Sequence, residues 1–407
     1  MRKVISLGFV AVLSLALTGC PPKGETGSTK TADTAAGGDI LIGEYSSLTG
    51  LQGTFGTSTH QGIIMAADEV NAAGGINGRK VKIITEDDQS KPEEAATAVS
   101  KLISQNSVVA VLGEVASSAS LAAAPICQSN KVPMITPSST NPEVTKKGDY
   151  IFRMCFTDDQ QGPAMADYTA KTEGIKTAAI LTDVKNDYSV FLGRDFDRRF
   201  TEDGGKIVAH ASYSNGDSDF RAQLTSIKPS NPQILWVPGY YNDIGQIAQQ
   251  ARDLGITVPL VGGDGWVSPK LIEIGGKALE GCYYANHYSQ DDPSPVVRNF
   301  VDKYKQRFGA KPDAMAALAY DAMHVLADAM KRAKKLDGPT LRDAIAATKG
   351  YAGVTGTITL GPDRNPIGKK IVVEEIKNGQ LTVRATFQPQ GGAPAGGGQA
   401  AKGGVAF

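Results

Sequence analysis

The sequence predicts an α/β protein made of two doubly wound parallel-sheet lobes. Short apolar runs alternate with helical segments along most of the chain, and one of them, "VVAVLG", is apolar throughout, as in a strand buried on both faces. The alternation also stops once and restarts, giving two successive units of roughly 120 residues with right-handed crossovers. At 407 residues the chain exceeds one ordinary core and is long enough for two or three.

The elements follow in order. "DILIGEY" (39–45) is a short apolar strand. "THQGIIMAADEVNAAGG" follows as a helix, with Ile63, Ile64, Ala67 and Val70 on one face and Gly74 and Gly75 as its stop. "KVKIITE" (80–86) is the next strand, and Pro92 with Glu93 and Glu94 opens the next helix, since proline suits a first turn and carboxylates its positive end. "VVAVLG" (108–113) is a fully buried strand. The second unit starts at "TAAILTD" (177–183) and runs through "KIVAHA", "QILWVPG" and "VPLVGG", with helical segments between.

The two ends read differently. "MRKVISLGFVAVLSLALTGC" has Arg2 and Lys3 before an apolar run from Val4 to Leu17. Such a run is too short for a spanning helix of about 20 residues, and its flanks are those of an export signal, residues 1–19. Leu17-Thr18-Gly19-Cys20 resembles the bacterial lipobox, which implies lipidation of Cys20 and a protein anchored outside the cytoplasmic membrane, in the periplasm or at the outer cell face. Residues 20–38 lack apolar periodicity and read as a flexible tether, and the Gly- and Ala-rich 388–407 as a disordered tail. With Cys20 modified, Cys127, Cys155 and Cys282 remain. A Cys127–Cys155 disulfide is one expectation for an exported chain, and three buried free thiols are the other. Charges balance, 42 basic against 42 acidic, with no patch of one sign, which argues against nucleic acid as a partner and against any membrane contact beyond the anchor.

Ligands of wound sheets bind beyond the carboxyl ends of the strands. In the first unit those ends carry hydroxyls: Ser117 and Ser118 after "VVAVLG", and Thr136, Ser138, Ser139 and Thr140 after "VPMI". In the second they carry Tyr188, Tyr240, Tyr241, Asp264 and Trp266. Ser117 and Thr140 could equally cap helices, and Asp264 in "GGDG" could be a turn residue.

From about 39 to 387 the chain resembles the type I periplasmic binding proteins of the leucine/isoleucine/valine class, the receptors of ABC-type amino-acid importers. The stretches that carry the resemblance are "LTGLQGTFG" (48–56), "AADEVNAAGGINGRKVKI" (66–83), "GEVASSAS" (113–120), "VPMITPSSTNPEVT" (132–145), "DDQQGPAMADY" (158–168), "PGYYNDIGQIAQQARDLG" (238–255) and "AYDAMH" (319–324). The resemblance implies lobes of 39–157 plus 287–362 and 158–286 plus 363–387, joined by three crossover segments and closing on a ligand. It implies an α-carboxylate held by Ser117, Ser138 and Thr140, with Ser139 of the same loop also binding ligand, an ammonium facing Asp264, and walls from Phe55, Tyr188, Tyr240 and Met315, with Trp266 as a further candidate. The implied ligand is a small amino acid, branched-chain or similar, and the implied partners are an ABC permease and its ATPase; no cofactor is implied.

Two departures matter. The residue opposite the ammonium is usually Glu, one methylene longer than Asp264, which admits an amide or a small organic acid as ligand. Ser90 and Ala116 also stand where some relatives carry a disulfide. A ligand-sensing lipoprotein of the same fold is the alternative to transport. An enzyme is not expected: the four histidines are scattered, HExxH, CxxC, GxSxG and Walker patterns are absent, and "GGINGRK" follows a helix instead of opening one.

Overall fold

The computed structural model describes residues 38–388. The expected export signal, Cys20, the tether up to residue 37 and the tail from 389 lie outside the described residues.

The first sheet is built from β1 (Ile40–Ser46), α1 (Gly53–Ala72), β2 (Val81–Asp87), α2 (Pro92–Ser104), β3 (Ala110–Leu112), α3 (Ser117–Asn130), β4 (Met134–Thr136) and β5 (Ile151–Arg153). Its strand order is β2-β1-β3-β4-β5, all parallel. The second sheet takes α4 (Asp158–Asp167), β6 (Thr177–Asp183), α5 (Asp187–Glu202), β7 (Lys206–Tyr213), α6 (Arg221–Ile227), β8 (Ile234–Trp236), α7 (Tyr241–Asp253), β9 (Leu260–Gly262), α8 (Pro269–Gly275) and β10 (Tyr283–Asn286). The chain then returns to the first lobe through α9 (Pro295–Phe308), α10 (Ala314–Arg332), α11 (Gly338–Ala346) and the small pair β11 (Tyr351–Gly353) and β12 (Gly356–Ile358). It ends in β13 (Ile371–Lys377) and β14 (Gln380–Phe387) on the second sheet.

The parallel part of the second sheet, β7-β6-β8-β9-β10, repeats the winding of the first. Each sheet therefore has a switch point, between β1 and β3 in one and between β6 and β8 in the other, where successive crossovers leave in opposite directions and open a crevice. The α/β expectation of two wound lobes is borne out, with one correction. β13 and β14 join the second sheet antiparallel to their neighbours. Asn378 and Gly379, both at positive φ, form the two-residue turn of a hairpin, which makes β13 and β14 antiparallel to each other.

Alternation along β3, β4 and β5 sends Val111, Met134 and Ile151 to one face and Leu112, Ile135 and Phe152 to the other, each face covered by its own apolar cluster. That arrangement corrects the Cys127–Cys155 disulfide. Cys127 belongs to the first cluster and Cys155 to the second, so the sheet stands between them, and both are free and buried, as is Cys282. The three behave as small apolar residues.

The crossings between lobes are tied together by buried polar groups. Arg153, at the end of β5, donates through Nε to Asn365 Oδ1 at 2.6 Å, and Arg364 Nη2 donates to Thr145 O at 2.8 Å. Among the described residues no helix is long and apolar enough to cross a membrane.

Candidate functional site

The two switch points face each other across one cleft. On the first lobe, α3 begins at Ser117 without a capping side chain: its N-cap is Ala116, and no acidic residue occupies its first turn. Ser117 is therefore not a cap. Its Oγ accepts the Asn141 N–H at 3.2 Å, which leaves its own proton free to donate. An uncapped helix start with no carboxylate nearby on the helix is a ready anion site.

The "PSST" loop completes this wall unevenly. Ser138 is buried, and its Oγ has no hydrogen-bond partner. Thr140 is buried beside it and its carbonyl accepts the Asp158 N–H at 2.9 Å. Ser139 points the other way: its hydroxyl meets Ser120 Oγ at 2.7 Å and the carbonyls of Glu114 and Val115 at 2.9 and 3.0 Å. The expectation that Ser139 offers its side chain to a ligand is thereby corrected, because alternate residues of an extended loop face opposite ways and Ser139 holds the loop to β3's end. Behind it the buried Arg153 donates to Ser139 O at 2.6 Å and Asn141 O at 2.8 Å. The guanidinium thus engages carbonyls that would otherwise repel an anion and adds positive potential from behind.

The second lobe supplies carboxylates. Asp264 Oδ1 accepts from Gln161 Nε2 at 2.8 Å, its N–H donates to Gln161 Oε1 at 3.0 Å, and its Oδ2 lies 3.0 Å from His287 Nε2. Gln161 Nε2 also donates to Asp158 Oδ1 at 2.9 Å, so one amide nitrogen holds two carboxylates together. Asp158 Oδ2 is buried without a partner of good hydrogen-bond geometry, with the Thr140 hydroxyl close to the same carboxyl. Burial, reinforced by the neighbouring charge of Asp264, pushes the Asp158 carboxyl well above the usual range. Burial also pulls His287 down against the pull of Asp264, so a neutral ring donates there. His287 stacks on Phe156 at 3.9 Å between centroids, which seats it between two of the crossings.

Two glycines make this packing possible. A Cβ on Gly263 would lie 2.5 Å from Tyr188 Oη, and one on Gly265 would lie 2.6 Å from Gly239 O. Tyr188 and Tyr240 stack at 5.3 Å, and Tyr188 Oη accepts the Gly265 N–H at 3.0 Å. Phe55 meets Tyr240 and Tyr241 edge-on at 5.5 and 4.9 Å from the opposite lobe, and Met315, at the start of α10, is buried in the same apolar cluster. Trp266 lies in the second lobe's core instead, donating Nε1 to Val237 O at 3.0 Å. The lobes touch across the cleft: Tyr241 Oη donates to Leu51 O at 3.1 Å, Ser118 Oγ to Asp187 Oδ2 at 2.8 Å, and Asn141 Nδ2 to Asp187 O at 3.2 Å.

The structure thus brings Phe55, Ser117, Ser138, Thr140, Tyr188, Tyr240 and Asp264 to one cleft. Sequence reasoning missed Asp158, Gln161, His287 and Arg153. One usable signal was Thr157-x-x-Gln160, a capping-box spacing that starts α4 in the cleft and puts Asp158 and Gln161 in its first turn. No comparable signal marks His287 or Arg153. Among the described residues no group of three or more His, Cys, Asp or Glu is placed to hold a metal ion.

Comparison with known proteins shows the family and the fold. The periplasmic binding protein family matches residues 39–380. A Pseudomonas aeruginosa protein named amino acid binding protein is 31% identical over 301 residues, 72% of this chain and 79% of its own. The crystal structure of leucine binding protein LivK from Thermotoga maritima superposes with a TM-score of 0.83 at 40% identity, covering 86% of this chain and 99% of that one. That of LivJ from Streptococcus pneumoniae in complex with isoleucine gives 0.81 at 34% identity, covering 86% and 99%. The chain belongs to the periplasmic binding protein family, solute receptors of ABC transporters and not enzymes.

Proposed function

We propose that this protein is the extracytoplasmic receptor of an ABC importer and that it captures a small α-amino acid between its lobes. One observation carries the reading. Two buried polar atoms lack hydrogen-bond partners, Ser138 Oγ on the first lobe and Asp158 Oδ2 on the second. A buried unpaired polar group costs roughly 1 to 3 kcal/mol, so a ligand that satisfies both stabilises the closed arrangement. An α-carboxylate accepts from Ser117, Ser138, Thr140 and the uncapped start of α3. The ammonium donates to Asp158 and Asp264, and the rings of Phe55, Tyr188 and Tyr240 exclude water and so strengthen both ends. The names of its relatives make leucine, isoleucine and valine the first probes. Cys20 is the lipid anchor in this reading, and a permease with its ATPase receives the ligand.

Calorimetric titration of the purified chain with leucine, 4-methylpentanoate and leucinamide tests the reading, since the second lacks the ammonium and the third the carboxylate. Leucine is expected to bind and both analogues to lose most of the affinity. Equal binding of all three would remove the zwitterion from the account.

A further inference from the structure

We propose that the Tyr241 hydroxyl latches the two lobes shut over the ligand and so sets the affinity for every ligand by the same factor, without choosing among them. The inference rests on the capture between lobes proposed above and adds what holds the closed form together.

The latch seats at the start of α1. The first four N–H groups of a helix have no partner within it. In α1 these belong to Gln52, Gly53, Thr54 and Phe55, and the N-cap residue Gln52 supplies no side-chain bond to them. Three are met from the first lobe itself: Gln52 N–H donates to Ser90 Oγ at 3.0 Å, Gly53 N–H to Gly50 O at 3.3 Å and Phe55 N–H to Gln52 O at 2.9 Å. The remaining one, Thr54 N–H, donates to Tyr241 Oη of the opposite lobe at 3.3 Å. The same hydroxyl donates its own proton to Leu51 O at 3.1 Å. Tyr241 therefore caps α1 across the cleft, accepting one bond and donating another. Among the described residues its hydroxyl has no hydrogen-bond partner in its own lobe.

Position and burial make this contact matter. Tyr241 is the first residue of α7, which follows β8, and α1 follows β1, so the contact joins strand ends that flank the two switch points. Tyr241 is 4% exposed and its ring meets Phe55 of the first lobe edge-on at 4.9 Å, so the hydroxyl is carried by a ring that already bridges the lobes. The other side-chain pair between the lobes, Ser118 and Asp187, is exposed, and water competes for both of its groups. The Tyr241 bonds exist only while the lobes are in contact, because opening returns Thr54 N–H, Leu51 O and the hydroxyl to water. They favour closure whatever the ligand, and a shift in a shared opening equilibrium scales every apparent dissociation constant alike.

The test is Tyr241→Phe, which keeps the ring against Phe55 and removes only the hydroxyl. Leucine, isoleucine and valine are titrated calorimetrically into both proteins, with release and association rates from stopped flow and thermal denaturation of the ligand-free chains. The variant is expected to lose at least about threefold in affinity, the scale of one net hydrogen bond, and to lose the same factor for each ligand that binds. The loss is expected as faster release with association unchanged, since the latch forms after encounter. Ligand-free stability is expected to stay the same. Unchanged affinity would overturn the latch. A loss that differs severalfold among the three ligands would make Tyr241 a wall of the ligand pocket instead, and a ligand-free destabilisation as large as the affinity loss would make its hydroxyl a fixed bond of the fold; either would overturn the proposal. Binding of none of the three by the wild type would count against the amino-acid reading beneath it, and the ligand-free comparison would still bear on the latch.

Discussion

Asp264→Asn tests the electrostatics of the cleft at the point where this sequence departs from its relatives. The substitution preserves size and removes the charge. In the structure Asp264 Oδ1 receives Gln161 Nε2 and Oδ2 faces His287 Nε2. An asparagine keeps the first contact with its own Oδ1 and turns Nδ2 toward the ring, which accommodates it by carrying its proton on Nδ1. Ligand-free stability should therefore change by no more than about 1 kcal/mol, the net worth of a single hydrogen bond. Binding should change far more. Losing one member of a buried charge pair costs roughly 2 to 5 kcal/mol, which weakens an amino acid by roughly thirtyfold or more. Calorimetry on both proteins with leucine and 4-methylpentanoate provides the assay, since the analogue has no ammonium to lose contact with Asp264. The expected result is a large loss for leucine and a small one for the analogue. Equal losses would mean that Asp264 acts only by shaping the "GGDG" turn, and the ammonium assignment would fall.

Three further outcomes are expected. A bound zwitterion bridges the lobes and favours the closed form by its differential affinity, so the radius of gyration from solution scattering should shrink on saturation with a confirmed ligand; an unchanged radius would contradict the hinge. Cys20→Ala should abolish metabolic lipid labelling and move the protein out of the detergent phase, and continued labelling would refute the anchor. The third concerns Glu114 and Asp88, two buried carboxyls joined through Ser47, which donates its N–H to one at 3.0 Å and its hydroxyl to the other at 2.6 Å. Burial, reinforced by Asp88, pushes Glu114 up to about 8, and burial pushes Asp88 up to about 6. Both groups keep protons in the folded chain that the unfolded chain releases, so their contribution is fully present in acid and is lost as pH rises through those values. Asp88→Asn removes one such group and relieves the other. Denaturation at about pH 5 and about pH 8 should show a smaller fall in stability for the variant than for the wild type, and parallel profiles would refute the coupling.

The fold was legible because its signals are local. Apolar runs such as "VVAVLG" are short, rich in valine and bounded by turn residues, which marks them as buried strands, and the chain order of strands and helices follows. The closing hairpin at Asn378 and Gly379 carried an equally local turn signal, but its antiparallel edge depends on which strand it reaches, and that is tertiary information. The cleft was legible in part. Ser117, Tyr188, Tyr240 and Asp264 sit just past strand ends, where wound sheets bind ligands, and the family resemblance picks them out from neighbours such as Trp266. Ser138 and Ser139 are adjacent hydroxyls that no sequence rule tells apart, and the fold of the loop decides that Ser139 bonds the Glu114 carbonyl and Ser138 is left without a partner. His287 and Arg153 act from the crossings, where neither periodicity nor composition announces a role. Cys127 and Cys155 show the same limit, because the sheet face each occupies is set by the tertiary fold, and the sheet separates them.

The account is tested most directly by a crystal structure of the protein with a bound α-amino acid. It predicts the carboxylate at Ser117, Ser138 and Thr140 and the ammonium within hydrogen-bonding distance of Asp158 and Asp264, with both lobes in contact. A ligand bound the other way round, or one whose ammonium touches neither carboxylate, would contradict it.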